Sequence, residues 1–269
     1  MHIIDGKRIA RKIEEKIKRK AEGKEIKIAT LIIEKNEESM LFANLKDKAC
    51  KRVGFEHEII YVEREVEKEI YKLNKDKSIT GINIQLPLPK HMDYIKLVEK
   101  IDVNKDLEGM NPYNIGKTLL GKEEILPCTP KAVLKILQHE NIDVEGKDIV
   151  IINHSNIIGK PLAMLLLNRN ASVSVCHIYT RDLKKYTKKA DILISATGVK
   201  GLIKEEFIGN ECIVIDAGIK KENGKVYGDV DKNAMKKAKA ITPVPGGVGP
   251  VTIASLLENA LLTYEKLHI

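Results

Sequence analysis

Short apolar runs alternate with helix-period segments along almost the whole chain, and this alternation constrains the fold most. IKIATLIIE, HEIIYV and ITGINIQ lie in the first half. DIVII, ASVSVCH, DILISAT and CIVIDAGI lie in the second. Each reads as a strand bounded by turn residues. Helical spacing predicts helices over about Gly6 to Glu22, over Ser39 to Val53, in the charged run after HEIIYV, and over MDYIKLVEKI. Further helices are expected from Pro130 to His139, in GKPLAMLLLNR, near Leu183 to Lys189, and from Thr252 to Leu267. Strands separated by helices pair in parallel, which predicts an α/β protein.

A chain of 269 residues is long for one core, and two domains of roughly 100–150 residues fit it better. The pattern breaks between Ile101 and Thr129, a stretch rich in Asp, Asn, Gly and Pro. A domain boundary is expected there. No strand follows the last helix, so it is expected to pack back on the first domain.

No apolar run approaches the ~20 residues of a membrane helix, and no apolar segment of signal-peptide length opens the sequence. A cytoplasmic protein without membrane contact is expected. The four cysteines include no CxxC pair, which argues against structural zinc and disulfides. The net charge of +8 admits nucleic acid as a partner. However, lysines and glutamates interleave, as in YVEREVEKEIYK, and so read as solvated helix faces. The absence of Trp and the presence of only three Phe remove the aromatic platform that single strands stack on.

The loop in VIINHSNIIGKP lies between an apolar strand and an apolar helix. It is a loose version of GxGxxG. Asn153 and Ser155 take the first two glycine places, and Gly159 comes one residue late. Asn tolerates left-handed backbone, Ser can donate to a phosphate, and a helix N-terminus offers N–H groups and a positive dipole end. An ordinary N-cap explains the same residues. The turns in ATGVKG and VIDAGI also follow strands. Several such turns at one sheet edge match the ligand position of doubly wound sheets.

On the helix ESMLFANLKDKACKRVG, a turn of about 100° per residue puts Leu41, Phe42, Leu45, Ala49, Cys50 and Val53 in one apolar arc. Lys46 falls inside it. A lysine there either snorkels outward or ends in a protected polar pocket, where desolvation lowers its pKa and suits it to acid–base work. Spacing leaves both open. Gln85 ends an apolar strand just before QLPLP. It reads either as a partner for that lysine or a ligand, or as a loop-capping amide.

In order, IIDGK, SMLFANLKDKACKRVGF, GINIQLPLP, KDLEGMNPYNIG, LPCTP, NHSNIIGKP and ITPVPGGVGPVT span the chain. Together they resemble the bifunctional methylenetetrahydrofolate dehydrogenase/cyclohydrolase family, the FolD type. The resemblance implies a folate-binding catalytic domain, residues 1–124 completed by 248–269, and a Rossmann-type NAD(P)-binding domain, residues 125–247, with a cleft between them. It implies a homodimer. It implies that 5,10-methylenetetrahydrofolate passes a hydride to NADP⁺ and that the methenyl product is hydrolysed to 10-formyltetrahydrofolate. No metal is implied.

By the same resemblance, Lys46 polarises or deprotonates the attacking water and Gln85 positions it. Phe42, Glu108, Pro245, Gly246, Gly247 and Thr252 are the implied folate contacts. Asn153, His154, Ser155, Ile157, His177, Arg181, Thr197, Gly198 and Ile219 are the implied cofactor contacts. Asp106 is expected to organise its own loop.

Three positions depart from the family's pattern. Its tyrosine is Phe42 here, so a hydroxyl is lost; an alternative is a dehydrogenase with weak or lost cyclohydrolase activity. Its folate-binding aspartate is Glu108, one methylene longer. Its Gly-Arg pair is Asn153-His154, so the role of the arginine at a 2′-phosphate passes to His154 and Arg181, helped by His177. No acidic residue ends the strand SVSVCH, as an NAD-specific site would place one, which favours NADP. The rivals are a Rossmann dehydrogenase for another small substrate, such as a shikimate-like hydroxy acid, and a basic RNA-associated protein.

Overall fold

A computed structural model of the protein describes residues 1–268. The first half runs β1 (His2–Ile3), α1 (Gly6–Lys20), β2 (Lys27–Ile32), α2 (Glu37–Val53), β3 (Glu56–Tyr61), α3 (Val66–Lys75), β4 (Gly81–Gln85), α4 (Tyr94–Val98) and α5 (Pro112–Leu119). The second runs α6 (Cys128–His139), β5 (Asp148–Ile152), α7 (Gly159–Leu167), β6 (Ser172–Cys176), α8 (Leu183–Thr187), β7 (Ile192–Ser195), β8 (Ile213–Asp216), β9 (Lys220–Glu222), β10 (Lys225–Tyr227), β11 (Ala240–Ile241) and α9 (Val248–Leu267).

The chain divides into two compact units. Of the described residues, one holds 11–128 and 253–268, the other 1–10 and 129–252. Residues 1–10, expected in the folate-binding domain, join the other unit because β1 pairs in parallel with β11. Two-residue strands such as β1 and β11 carry no readable period.

The first unit is built on a parallel sheet of order β3-β2-β4. Helix α2 starts at an N-cap: Asn36 accepts from the Glu38 and Ser39 amides, and Ser39 reciprocates at the Asn36 amide. It stops at Gly54, whose φ of 83° ends the helix left-handed. Its buried line is Ser39, Ala43, Ala49, Cys50 and Val53. Leu41 and Leu45, placed in the apolar arc by periodicity, stay 37% and 41% exposed. The sheet covers a narrower strip of the helix than its apolar composition suggests. Ile28, Ala49, Cys50, Val53 and Leu107 share one core with Leu256, Leu257, Ala260 and Leu261 of the last helix. Asn259 locks that helix in place, donating to the Leu107 and Leu126 carbonyls at 2.8 and 2.9 Å.

The second unit holds a parallel sheet of order β1-β11-β8-β7-β5-β6 and a β9–β10 hairpin. From β5 the chain goes to β6 on one side and then returns to β7 on the other, so the strand order reverses at β5. The crevice at such a reversal is where open α/β sheets bind ligands.

Three stretches differ from expectation. Residues 101–129 contain α5, started by the Asn111 cap with Pro112 in its first turn. MDYIKLVEKI forms only the short α4. Helix α9 begins at Val248, four residues before Thr252.

Candidate active site

Successive side chains alternate across a strand, and register decides which ones meet. Thr30 faces Asn83, Ile28 faces His57, and Ile32 faces Gln85. Thr30, His57, Asn83 and Gln85 therefore share one face of the three-stranded sheet. That face also carries Ile28, which packs in one core with Ala49, Cys50 and Val53 of α2.

Lys46 comes off α2 into this polar line. Its Nζ donates to Asn83 Oδ1 at 2.5 Å. The residue as a whole is half-buried, but its amine sits where burial dominates. Burial pushes its pKa below the ordinary lysine value, and the Glu108 carboxylate opposes that shift. The snorkelling alternative is thereby excluded. Glu108 is the complementary group. Burial raises its pKa, while Lys46 and the Tyr94 hydroxyl, donating to Oε2 at 2.9 Å, pull it down. Burial also holds the Tyr94 phenol well above its usual value. The site thus couples a weakened ammonium to a weakened acid.

Gln85 does not hold the Lys46 amine. Its Nε2 donates to the Leu86 carbonyl at 2.7 Å, and its buried Oε1 has no partner. Asn83 Nδ2 is likewise buried and without a partner. Unpaired buried polar atoms are costly, and they mark where a polar ligand would be welcomed. Phe42 lies one turn before Lys46 on α2 and is partly exposed. Asp106 shapes the loop that carries Glu108. It accepts from the Glu108 and Asn111 amides and from Asn114 Nδ2, at 3.2, 2.8 and 2.9 Å.

The candidate cofactor residues all fall in the other unit. The loop after β5 is shaped by its own side chains. Asn153 Oδ1 accepts from the Ser155 and Gly159 amides at 2.8 and 3.0 Å, and Nδ2 donates to the Ala196 carbonyl at 2.6 Å. Ser155 Oγ accepts from the Ile158 amide at 3.1 Å. Two expectations are corrected here. Asn153 is not left-handed, since it is absent from the positive-φ residues. The amides of Ser155, Ile158 and Gly159 are already taken by Asn153 and Ser155. For a phosphate the loop still offers the Ser155 hydroxyl proton and the dipole end of α7. Gly159 takes the role of a fingerprint glycine, since a Cβ there would lie 1.9 Å from the Asn153 carbonyl oxygen.

Asn153 ties this loop to the one after β7, across the strand-order reversal. There Gly198 has a φ of 69°, and Thr197 donates its amide to Asp229. His154 and His177 meet with ring centroids 4.8 Å apart. His177 Nδ1 accepts from the Tyr179 amide at 3.2 Å, so in its neutral form its proton is on Nε2. Arg181 is exposed in the same β6–α8 loop; Ile157 is partly exposed and Ile219 exposed. These groups fit a dinucleotide: small residues at the reversal, a hydroxyl at a helix start, and basic side chains beyond β6. Pro245, Gly246, Gly247 and Thr252 also belong to this unit. Gly246 has a φ of 107°, a backbone that side chains rarely adopt. Thr252 Oγ1 returns a hydrogen bond to the Val248 carbonyl at 3.2 Å.

Sequence reasoning missed Asn83, Tyr94, Thr30 and His57. Asn83 had a signal, being an amide in the middle of an apolar strand. Tyr94, inside a predicted helix, had none. Among the described residues, no group of three or more His, Cys, Asp or Glu side chains is placed to hold a metal ion. Among them also, no helix is long and apolar enough to cross a membrane.

Residues 4–108 match the profile of the tetrahydrofolate dehydrogenase/cyclohydrolase catalytic domain, and residues 127–268 that of the same family's NAD(P)-binding domain. The chain is 48% identical to the bifunctional protein FolD of Methanosarcina barkeri, over 96% of this chain and 94% of that one. Its structure is similar to that of the bifunctional methylenetetrahydrofolate dehydrogenase/cyclohydrolase of Campylobacter jejuni, with TM-score 0.94, 42% identity and 99% of both chains covered. It is also similar to the Trypanosoma brucei enzyme, a structure complexed with NADP cofactor and inhibitor. There the TM-score is 0.93 and the identity 33%, over 99% of this chain and 98% of that one.

Proposed function

Since the chain belongs to the tetrahydrofolate dehydrogenase/cyclohydrolase family, we propose that it oxidises 5,10-methylenetetrahydrofolate with NADP⁺ and hydrolyses the methenyl product to 10-formyltetrahydrofolate. The observation that carries this reading is the Lys46 amine. It is drawn off an amphipathic helix into a desolvated polar line beside Glu108. Nothing in the packing of α2 requires a lysine there, whereas a water-attack step needs such a group.

Bound NADP⁺ supplies the hydride acceptor, and the folate N5 lone pair drives the hydride off. The chain's residues bind and orient. Ser155, Thr197 and Gly198 line the strand-order reversal for the dinucleotide. His154, His177 and Arg181 take the 2′-phosphate. In the hydrolytic step, Lys46 removes or polarises the proton of the attacking water. A lowered pKa makes the free amine accessible near neutral pH, and a cationic iminium nearby lowers it further. Glu108 accepts from the amide-like N–H edge of the pterin, steadied by Tyr94. Phe42 offers its ring to the folate, and Gln85 Oε1 has a free lone pair for a ligand donor.

Loss of the cyclohydrolase through Phe42 is not favoured, because the relatives matched along their length are named bifunctional. We also infer a homodimer in the cytoplasm, with tetrahydrofolate derivatives as ligands and no nucleic-acid partner. Steady-state assays with methylene- and methenyl-tetrahydrofolate, each run with NADP⁺ and NAD⁺, test the activities. No methenyl absorbance band from the methylene substrate with either cofactor defeats the proposal. Sedimentation velocity tests the dimer.

A further inference from the structure

The hydrogen bond from Lys46 is the first link of a buried chain. Asn83 Oδ1 accepts from Lys46 Nζ at 2.5 Å and from Thr30 Oγ1 at 3.1 Å. Thr30 Oγ1 lies 2.8 Å from His57 Nε2. His57 Nδ1 lies 3.6 Å from Asp47 Oδ1, and Asp47 also pairs with Lys51 at 2.7 Å. Thr30 and Asn83 are fully buried, and the His57 side chain is 1% exposed. The hydrogen-bonded line starts at the amine and ends at His57, whose Nδ1 has no hydrogen-bond partner; the Asp47 carboxylate lies beyond it.

Counting protons fixes the direction of each hydrogen bond from Lys46 to His57. An ammonium only donates, so the Asn83 carbonyl, not its NH₂, faces Lys46. Thr30 has one proton, and that proton goes to the same carbonyl. Thr30 must then accept from His57, which places the His57 proton on Nε2. Turned the other way, the hydroxyl would donate to the other His57 tautomer, and Asn83 would lose a donor. Thr30, backed by His57, therefore holds the Asn83 amide in the one setting that offers its oxygen to Lys46. That setting gives Asn83 Nδ2 no full hydrogen bond, only a contact that helps lower the Glu108 pKa, so the stronger gain lies on the oxygen. The gain is two donors on one oxygen, one of them charged.

We propose that Asn83, oriented by Thr30 and His57, is a positioning residue that fixes the Lys46 amine and favours its charged form. The proposal rests on the reading that Lys46 handles the proton of the hydrolytic water. Without this brace, burial alone would strip the ammonium of its proton at lower pH, and the amine would wander. With it, the ammonium formed when Lys46 takes the proton of the water is held in a defined place until that proton is passed on. The other groups facing Lys46 are Glu108, with Tyr94 and Asp106 behind it, the His57 ring, and the Cys50 and Cys128 thiols. Asp47 and Lys51 face His57. Asn83→Leu also removes the Asn83 contact that helps lower the Glu108 pKa, and Thr30→Val removes the bond to the His57 ring.

The test is the titration of Lys46 itself, followed by the ¹³Cε chemical shift of lysine-labelled full-length protein. The Lys46→Met variant assigns the resonance. Asn83→Leu should move the midpoint down by about one pH unit, the size of one charge-assisted hydrogen bond. Asn83→Asp should move it up, because a carboxylate offers only acceptors. Thr30→Val should move it down, and Thr30→Ser should restore it. A purely structural role would give equal shifts for Val and Ser, or no shift. Equal midpoints in wild type and all four variants, or no resolvable Lys46 titration in any of them, overturn the proposal. Failure of the underlying reading looks different: the midpoints move as stated, but Lys46→Met hydrolyses the methenyl substrate at the wild-type rate.

Discussion

Replacing Lys46 with Met keeps the length and bulk of the side chain and removes only the amine. The effect on the fold can be worked from its neighbours. Asn83 Oδ1 keeps its bond from Thr30 at 3.1 Å, so no new unpaired acceptor is created. The charge-assisted hydrogen bond lost is worth about 1.5–3 kcal/mol. Relief from burying an ammonium offsets it, at roughly several kcal/mol per ion before compensation. The net change in stability should be small, and the unfolding midpoint should stay close to wild type. Glu108 loses the cation that holds its pKa down, so it moves further toward the neutral acid. Hydrolysis should fall by about 10²–10⁴-fold, the usual contribution of a placed acid or base. Hydride transfer needs no such group, so a dehydrogenase rate should persist. The assay pairs methenyl decay with NADPH formation on one preparation. Full hydrolysis by the variant would refute the role given to the amine. Loss of both activities with an unchanged fold would show that the lysine binds folate and does no proton chemistry.

Asn259→Ala should cost on the order of 3 kcal/mol, because the carbonyls of Leu107 and Leu126 lose a buried donor; an unchanged urea midpoint would contradict this. Asp216 is buried, and desolvation raises its pKa from 3.8 to about 6. The folded state then binds more protons than the unfolded one between these values. Its contribution is present in acid and is lost as pH rises through about 6, to the order of 3 kcal/mol; that slope should vanish in Asp216→Asn when unfolding midpoints at about pH 5 and 7 are compared. Arg181→Ser should raise KM for NADP⁺ by about 10- to 100-fold and leave KM for NAD⁺ alone. Equal effects on both would remove Arg181 from the 2′-phosphate.

Much of the architecture was legible because period and burial agree. The strands β2 to β8 coincide with the apolar runs, β3 starting one residue early at Glu56, and α2 ends where the pattern ends. Two-residue strands and the short hairpin were not. The hairpin did leave a trace in Asn223-Gly224, whose φ values of 51° and 72° are those of a tight two-residue turn. Asn111-Pro112 was a helix start of the same kind, overlooked among many turn residues. In the site, Lys46 could be found because one helix suffices to see a misplaced charge. Thr30, His57 and Asn83 each sit in a separate strand, and each is ordinary there. Only the pairing of Thr30 with Asn83, and of Ile28 with His57, brings them into line. Register between distant segments is the information a single pass along the chain lacks.

The grip of Asn259 on Leu107 and Leu126 has a consequence for biosynthesis. Glu108 follows Leu107 directly, so the segment bearing this carboxylate is clamped by a residue 152 positions beyond Leu107. During translation that segment leaves the ribosome long before its clamp does. The first unit must wait half-made until all of the intervening polypeptide has been threaded out. A nascent chain stalled before Asn259 would therefore carry the lysine and the carboxylate without the catalytic pocket, whatever the state of its six-stranded neighbour.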